Sequence, residues 1–382
     1  MRASRPIDRR EFLRRAQLAG AALAVPGVLG ACAPERPPQA PAGGGGGGGG
    51  DLEGASLRVG TYGGFFEENF RKMYPGFTKE TGVQVTSVAQ PTSEQWVVQL
   101  EQASKAGAVP ADVSMLSIVG MLRALSGDIL ASYDDSGIPN QRFLADGFVR
   151  RNDAGEIVGV GAVSWYITLV SNTERVKKSP ESWSAFWEPE WRDELALLKN
   201  PGNSFLLETT AATFFDGYDI LKKKSGVEEV LAKLEEVKPN VKLWYRDEAT
   251  AQQALNTGEV SLGQFYHDIT TYAASQGEPL RSVFPTEGAI LDSGEWAVTK
   301  TTQNLDACIA FINYMCKPEI QAELARTLGT SPTVRKEFMD LSDKEYRSLA
   351  GPGPGAALRP EYRIYEEWED WINQRWTETI VG

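Results

Sequence analysis

ASLRVGTYGGFFEENFRKMYPGFTKETGVQVTSV, residues 55–88, switches between two hydrophobic periods. Ala55-Ser-Leu-Arg-Val-Gly60 alternates as a strand and ends at the turn-forming Thr61-Tyr62-Gly63-Gly64. From Phe66 to Thr81 the apolar residues recur at helical spacing, and Gly82 supplies a stop. Val83-Gln-Val-Thr-Ser-Val88 alternates again. Two strands joined through a helix by such short linkers predict a parallel pair with a right-handed crossover, and hence an α/β fold.

The same reading extends outward. Thr92-x-x-Gln95 has the pattern of a capping box for a helix through Ala106, and Ala111-Asp-Val-Ser-Met-Leu116 predicts a third strand. Val158 to Asn172 is continuous, apolar and β-branched, as suits a buried strand or one that crosses between lobes. Helices are predicted over Leu206–Lys224 and Val227–Val237. Strands at Val241–Tyr245 and Val260–Tyr266 flank a helix from Asp247 to Leu255, and a short helix runs from Ile269 to Ser275. Ala297-Val298 belongs to a returning strand. Asn304–Leu328 is helical with a break at Lys317-Pro318, and Glu361–Thr377 is an amphipathic helix rich in Trp and Tyr. There are no internal repeats.

The first fifty residues carry a different message. Asp8-Arg-Arg-Glu-Phe-Leu-Arg14 resembles a twin-arginine export signal, and the apolar run Ala16–Leu29 is shorter than the about 20 residues a membrane span needs. Leu29-Gly-Ala-Cys32 resembles a lipobox, which predicts cleavage before Cys32 and acylation of its thiol. Cleavage without acylation is the plainer alternative. A Pro-rich stretch and Gly43–Gly50 follow, read as a tether because no strand precedes the glycines to make them a phosphate cradle. Residues 1–31 are thus expected to be a signal peptide and 32–54 a lipid-anchored tether. The exported chain would work in the periplasm or at the outer face of the cytoplasmic membrane.

Composition narrows the partners. The chain of 382 residues carries 39 basic and 51 acidic side chains, and without residues 1–31 the balance is 33 to 49, a net charge near −16. That argues against nucleic acid and against an electrostatic grip on anionic lipid. Cys308 and Cys316 would lie about 12 Å apart along one helix, too far for a disulfide, so buried free thiols are expected. With His267 the only histidine and no C-x-x-C, no metal and no cofactor is expected.

Four phrases then fall in a familiar order: Phe77-Thr-Lys-Glu-Thr-Gly-Val83, Glu181-Ser-Trp-Ser-Ala-Phe-Trp187, Leu255-Asn-Thr-Gly-Glu-Val-Ser-Leu262 and Ala310-Phe-Ile-Asn-Tyr-Met-Cys-Lys-Pro-Glu319. Together they resemble the extracellular solute-binding proteins of ABC importers, in particular the spermidine/putrescine-binding group, over nearly all of residues 55–340. The resemblance implies a two-lobed periplasmic-binding-protein-like α/β fold with a ligand cleft between lobes and hinge crossovers. Lobe one would comprise 55–163 and 291–382, and lobe two 164–290. It further implies a monomer without enzymatic activity. Its partners would be a small-molecule ligand, ABC permease subunits with a cytoplasmic ATPase, and the membrane through lipidated Cys32.

The resemblance also directs attention to individual positions. Tyr62, Phe65 and Phe265 fall on cleft aromatics of the family, Trp165 and Tyr166 lie at the first crossing, and Ser117 falls on a cleft serine. Aromatic faces suit methylene chains and ammonium groups. The family's amine-gripping carboxylates are replaced at Gly64, in Asn200-Pro-Gly-Asn203-Ser204 and at Gly294. What remains is Arg246, Tyr266, His267, Asp268, Asp292 and Ser293. An ammonium could meet Asp292 or Asp268, and an acid could meet Arg246 and the helix N–H groups after Tyr266. The expected ligand is a polyamine such as spermidine or putrescine, or a zwitterionic amine of the amino-acid, aminophosphonate or opine kind. Plainer roles stay open: core packing for Phe65 and Phe265, a surface ion pair to Asp247 or Glu248 for Arg246, a structural hydrogen bond for His267, and a helix N-cap for Asp268. Three rival functions are a ferric-iron binder of the same fold, which would want a Tyr-Tyr pair the chain lacks, an exported hydrolase using His267 with Ser117 or Ser293, and a tethered sensor.

Overall fold

The computed structural model describes residue 52 and residues 54–381, apart from residue 92. The export signal, Cys32, the Gly43–Gly50 tether and Thr92 of the expected capping box lie outside the described residues. β1 (Ser56–Tyr62) and β2 (Gln84–Gln90) run parallel, with Ser56 opposite Gln84 and Tyr62 opposite Gln90. The helix expected between them is two helices, α1 (Phe65–Phe70) and α2 (Tyr74–Thr81). Pro75 is the reason. It has no N–H to close an intrahelical bond and its ring clashes with the preceding turn, so it is tolerated only in the first turn of a new helix. Gly82 ends α2 in the left-handed region, at φ 78°.

α3 (Ser93–Lys105) leads to β3 (Val113–Ser117), which is parallel to β1. α4 (Ile118–Ser126) starts at once because the Ser117 hydroxyl accepts from the Gly120 N–H. β4 (Val149–Arg151) and β5 (Ile157–Asn172) follow, then β6 (Leu195–Leu198), α5 (Pro201–Ser204), α6 (Leu206–Phe214) and α7 (Lys224–Glu235). The helix expected over 206–224 stops at Phe214, since Asp216 (φ 57°) and Gly217 (φ 108°) both turn left-handed. Next come β7 (Val241–Tyr245), α8 (Glu248–Asn256), β8 (Leu262–Tyr266), α9 (His267–Ser275), β9 (Leu280–Val283) and β10 (Ile290–Val298). α10 (Leu305–Met315) and α11 (Pro318–Leu328) are separated where Lys317-Pro318 requires it. α12 (Asp343–Ala350) carries a capping box between Ser342 and Glu345, and α13 (Tyr362–Trp376) closes the described chain with one further turn.

The strands form a mixed sheet in the order β2-β1-β3-β10-β5-β8-β6-β7, with β4 and β9 paired to β5. β5 is 16 residues long and organises it. Its first half pairs with β4 and its second half with β8 and β9, while β10 runs antiparallel alongside from Ile290 opposite Ile167 to Trp296 opposite Val160.

Core membership changes along these two strands. Val160, Val163, Tyr166, Leu291 and Trp296 belong to a first core with Phe70, Phe77 and Phe311, where Trp296 meets Phe70 and Phe311 edge-on at 5.2 and 5.5 Å. Leu169 belongs to a second core with Trp183, Phe186, Leu207 and Leu231, and Val170 to a neighbouring group with Phe265 and Leu255. Ile167, Ile290 and Phe205 form a small apolar junction between them. Each fully buried Leu, Ile or Phe side chain contributes about 1.5–3 kcal/mol, so two cores of this size stand on separate sets of contacts. α13 places Ile364, Tyr365, Ile372 and Trp376 in the second core, although its sequence position follows α10–α12, which pack on the first. Cys308 and Cys316 are buried free thiols, and desolvation pushes both up to about 12.

Candidate functional site

The two strands that pass between the cores bring together residues distant in sequence. On β10, Asp292 lies directly opposite Trp165 of β5. Successive strand residues point to opposite faces, so Trp165 turns away from its neighbour Tyr166. Tyr166 goes inward, 1% exposed, with its ring edge-on to Phe284 at 5.1 Å. Trp165 stays half-buried and meets Tyr62 edge-on at 6.5 Å. Tyr62 ends β1 and also contacts Phe66 at 5.7 Å, while Phe65, at the start of α1, is 54% exposed.

Asp292 is the chemical centre of this group. Its Oδ1 accepts from the Tyr362 hydroxyl at 2.6 Å and from the Ser293 N–H at 2.7 Å, and Trp165 also bonds the carboxylate. Among the described residues no Lys, Arg or His forms an ion pair with it. Three residues along β10, Glu295 shows the contrast, for it is gripped twice by Arg150 at 2.8 and 2.9 Å. Burial lifts the Asp292 carboxyl to about 6, against the pull of Tyr362 and the Ser293 N–H. Gly294 lies on the same face. A Cβ there would come within 3.0 Å of Met115 Cγ and into ordinary contact with Trp165 at 3.8 Å, so a side chain at that position requires Met115 to give way.

Asp268 is a second carboxylate that forms no ion pair among the described residues. It sits in the first turn of α9, its Oδ1 buried with no hydrogen-bond partner, and burial lifts its carboxyl to about 7. Its charge is held against the N–H groups of residues 268 and 269. The N-terminus of α9 thus already faces an acid, although Tyr266 rather than Asp268 is the cap residue. Asp292, Asp268 and Glu248 all act on the Tyr266 hydroxyl, which burial and these charges hold well above its ordinary range.

A cavity of about 620 Å³ opens beside Tyr362, with Gly120 and Arg123 of α4 on one side, Asn200 and Asn203 on another, and Glu369 and Asn373 of α13 on a third. Phe205 follows the 200–204 turn in the left-handed region at φ 52°, rare for a bulky residue, and meets Tyr362 edge-on at 5.9 Å.

The other expected positions separate. Asn203 is exposed and lines the cavity, but Ser204 is fully buried and its hydroxyl donates to the Pro201 carbonyl. Ser117 caps α4 opposite Gly294. Ser293 joins the site through its N–H. Phe265 is 0% exposed and packs on Tyr245 at 6.3 Å, because it occupies the core-facing side of β8. Arg246 is exposed and forms no ion pair among the described residues, while Asp247 instead caps α8 by accepting from the Thr250 N–H. His267 is buried between the Ser282 hydroxyl and the Ser348 carbonyl, both at 2.8 Å, and desolvation holds it below its ordinary range. It is thereby engaged away from Ser117 and Ser293. No group of three His, Cys, Asp or Glu side chains suited to a metal occurs among the described residues.

Tyr362, Glu248 and the cavity residues of α4 and α13 were not foreseen. The aromatic richness of 361–377 was visible, but nothing local to Tyr362 marks it as a partner for a carboxylate 70 positions earlier.

Two cores sharing a pair of crossing strands are the arrangement of solute-binding proteins of the periplasmic-binding-protein fold. Residues 72–349 match the bacterial extracellular solute-binding proteins, and the chain belongs to that family. It is 30% identical to the gamma-aminobutyric acid-binding protein of Pseudomonas aeruginosa over 205 residues, 51% of this chain and 55% of that protein. It thus spans about half the length of that relative. It is 25% identical to the spermidine/putrescine-binding periplasmic protein of Salmonella typhimurium over 256 residues, 66% of this chain and 71% of that one. The fold superposes on the spermidine/putrescine ABC transporter substrate-binding protein of Streptococcus pneumoniae with a TM-score of 0.69, at 21% identity, over 84% of this chain and 98% of that one. No helix among the described residues is long and apolar enough to cross a membrane.

Proposed function

We propose that the chain captures a small organic amine between two lobes and delivers it to an ABC permease driven by a cytoplasmic ATPase. Lobe one is built on residues 55–163 with α10–α12, and lobe two on 164–290 with α13 packed against it. β5 and β10 serve as the crossovers about which the lobes close. Cys32 carries a lipid that keeps the chain at the membrane.

One observation carries the amine reading. Asp292 is a half-buried carboxylate at the crossing, faced by Trp165 and Tyr362, with Tyr62 against the Trp165 ring and no cation paired with it among the described residues. A ligand ammonium supplies that cation through a charge-assisted hydrogen bond, and the rings attract it further. The relatives' names point the same way, since polyamines and gamma-aminobutyric acid share a terminal primary amine. A second, acidic end of the ligand has Arg123 at the cavity wall to meet it, in competition with Glu101 at 3.6 Å. Asp268 suits a second ammonium instead.

Calorimetric titration with putrescine, spermidine and 4-aminobutyrate tests this. At least one should bind with 1:1 stoichiometry, and Asp292→Ala should weaken it by about 1.5–3 kcal/mol, the scale of a charged hydrogen bond. A loss of a few tenths would remove Asp292 from the site.

A further inference from the structure

We infer that Tyr362, at the start of the C-terminal helix, is a positioning residue for the ligand site: its hydroxyl holds the Asp292 carboxylate in place, and Glu208 anchors the helix that presents it. This inference rests on the reading in which Asp292 meets the ligand's ammonium group.

α13 is fastened at two points one turn apart. Tyr362 donates to Asp292 Oδ1 at 2.6 Å, and Tyr365 donates to Glu208 Oε2 at 2.9 Å. The Glu361 N–H adds a bond to Glu208 Oε1 at 3.2 Å. Residues 362 and 365 lie on one helix face, so the two carboxylates fix both the position and the rotation of the first turn. Glu208 is fully buried on α6, and Asp292 lies on a crossing strand. The ring of Tyr362 is held edge-on by Phe205, whose left-handed backbone sets it there. Tyr362 and Tyr365 also line the 620 Å³ cavity beside Asn200 and Gly120. The first turn of α13 is therefore a wall of the cavity, and the same Tyr362 donates a hydrogen bond to Asp292.

A carboxylate that meets an ammonium needs a fixed rotamer and a negative charge. Tyr362 provides for both, because a neutral donor steadies the anion without cancelling its charge. The charged and titratable groups facing Asp292 are Glu295 on β10, already paired with Arg150, and the hydroxyls of Tyr362 on α13 and Tyr266 on β8. Glu295 raises the Asp292 carboxyl and Tyr362 lowers it. Removing the hydroxyl therefore moves the protonation of Asp292 to higher pH. Amine affinity, which needs the ionised form, should then fade at a higher pH than in the parent chain.

The test is Tyr362→Phe in the full chain, alongside Asp292→Asn and Tyr365→Phe. Titrations with putrescine, spermidine and 4-aminobutyrate span about pH 5 to 8, with thermal unfolding of each ligand-free variant. Tyr362→Phe keeps the ring against Phe205. It should raise Kd about tenfold near neutral pH and shift the acid limb of binding upward, while the ligand-free melting temperature moves little. Tyr365→Phe should weaken binding less and stability more. If Asp292→Asn abolishes binding but Tyr362→Phe leaves Kd and its pH profile unchanged, the inference is overturned while the amine reading stands. If Asp292→Asn leaves Kd unchanged, both fall together.

Discussion

Glu208 carries a prediction whose size follows from its surroundings. Its side chain is fully buried, accepts from Tyr365 and from the Glu361 N–H, and forms no ion pair among the described residues. Desolvation outweighs those bonds and lifts the carboxyl from its ordinary 4.5 to about 7. An acid whose folded-state value is raised favours the fold when protonated. Its contribution is therefore present in full below about pH 4.5 and is lost as pH rises through about 7. At about 1.4 kcal/mol per pH unit, that loss is ~3 kcal/mol. Glu208→Gln removes the ionisation and keeps the shape. Its carbonyl retains one donor, while its amide nitrogen faces the other, at a cost of about 1 kcal/mol. The variant should be the less stable protein near pH 5 and should equal or overtake the parent near pH 8. Urea unfolding followed by circular dichroism at both pH values measures this. The raised Asp268 and Asp292 and the depressed His267 are common to both proteins and cancel in the difference. A difference between parent and variant that stays constant across the pH range refutes the reasoning.

Trp165 faces Tyr62 and Asp292 at the crossing, so an amine that binds there should change tryptophan fluorescence, and Trp165→Phe should remove most of that change while leaving the fold intact. An undiminished signal would place the ligand elsewhere. Cys32→Ala should move the protein from the membrane fraction to the soluble exported fraction, because acylation is the anchor proposed for it. Continued membrane association would mean that another segment holds it there.

Much of the architecture is written in local chemistry. The left-handed stop at Gly82, the break at Lys317-Pro318, the buried run that became β5 and the strand Val241–Tyr245 all follow from a residue and its immediate neighbours. Such features depend on backbone freedom, a missing N–H or a period of two or 3.6, and these survive outside the fold. Where local signals compete, a linear reading goes wrong. Helical periodicity carried the first helix through Pro75 and the later one through Asp216-Gly217, yet the backbone at those points overrides any amphipathic pattern.

The site depends on another kind of information. Phe65 and Phe265 are alike as letters, but one stands exposed at the start of α1 and the other is buried on the core side of β8. For His267 the sequence left a ligand contact and a structural hydrogen bond both open, and packing makes it a strut between Ser282 and Ser348. The amino-acid order alone established an α/β chain of the solute-binding kind and put Asp292 and Trp165 forward as candidates. Only the packed chain decided that Glu295 is paired with Arg150 while Asp292 forms no ion pair among the described residues, and that Tyr362 arrives from 70 residues away to hold it. Charge and hydrogen bonding at a site are set by what is near in space, and with strands and helices crossing between two cores, nearness in space is not encoded in any short stretch of chain.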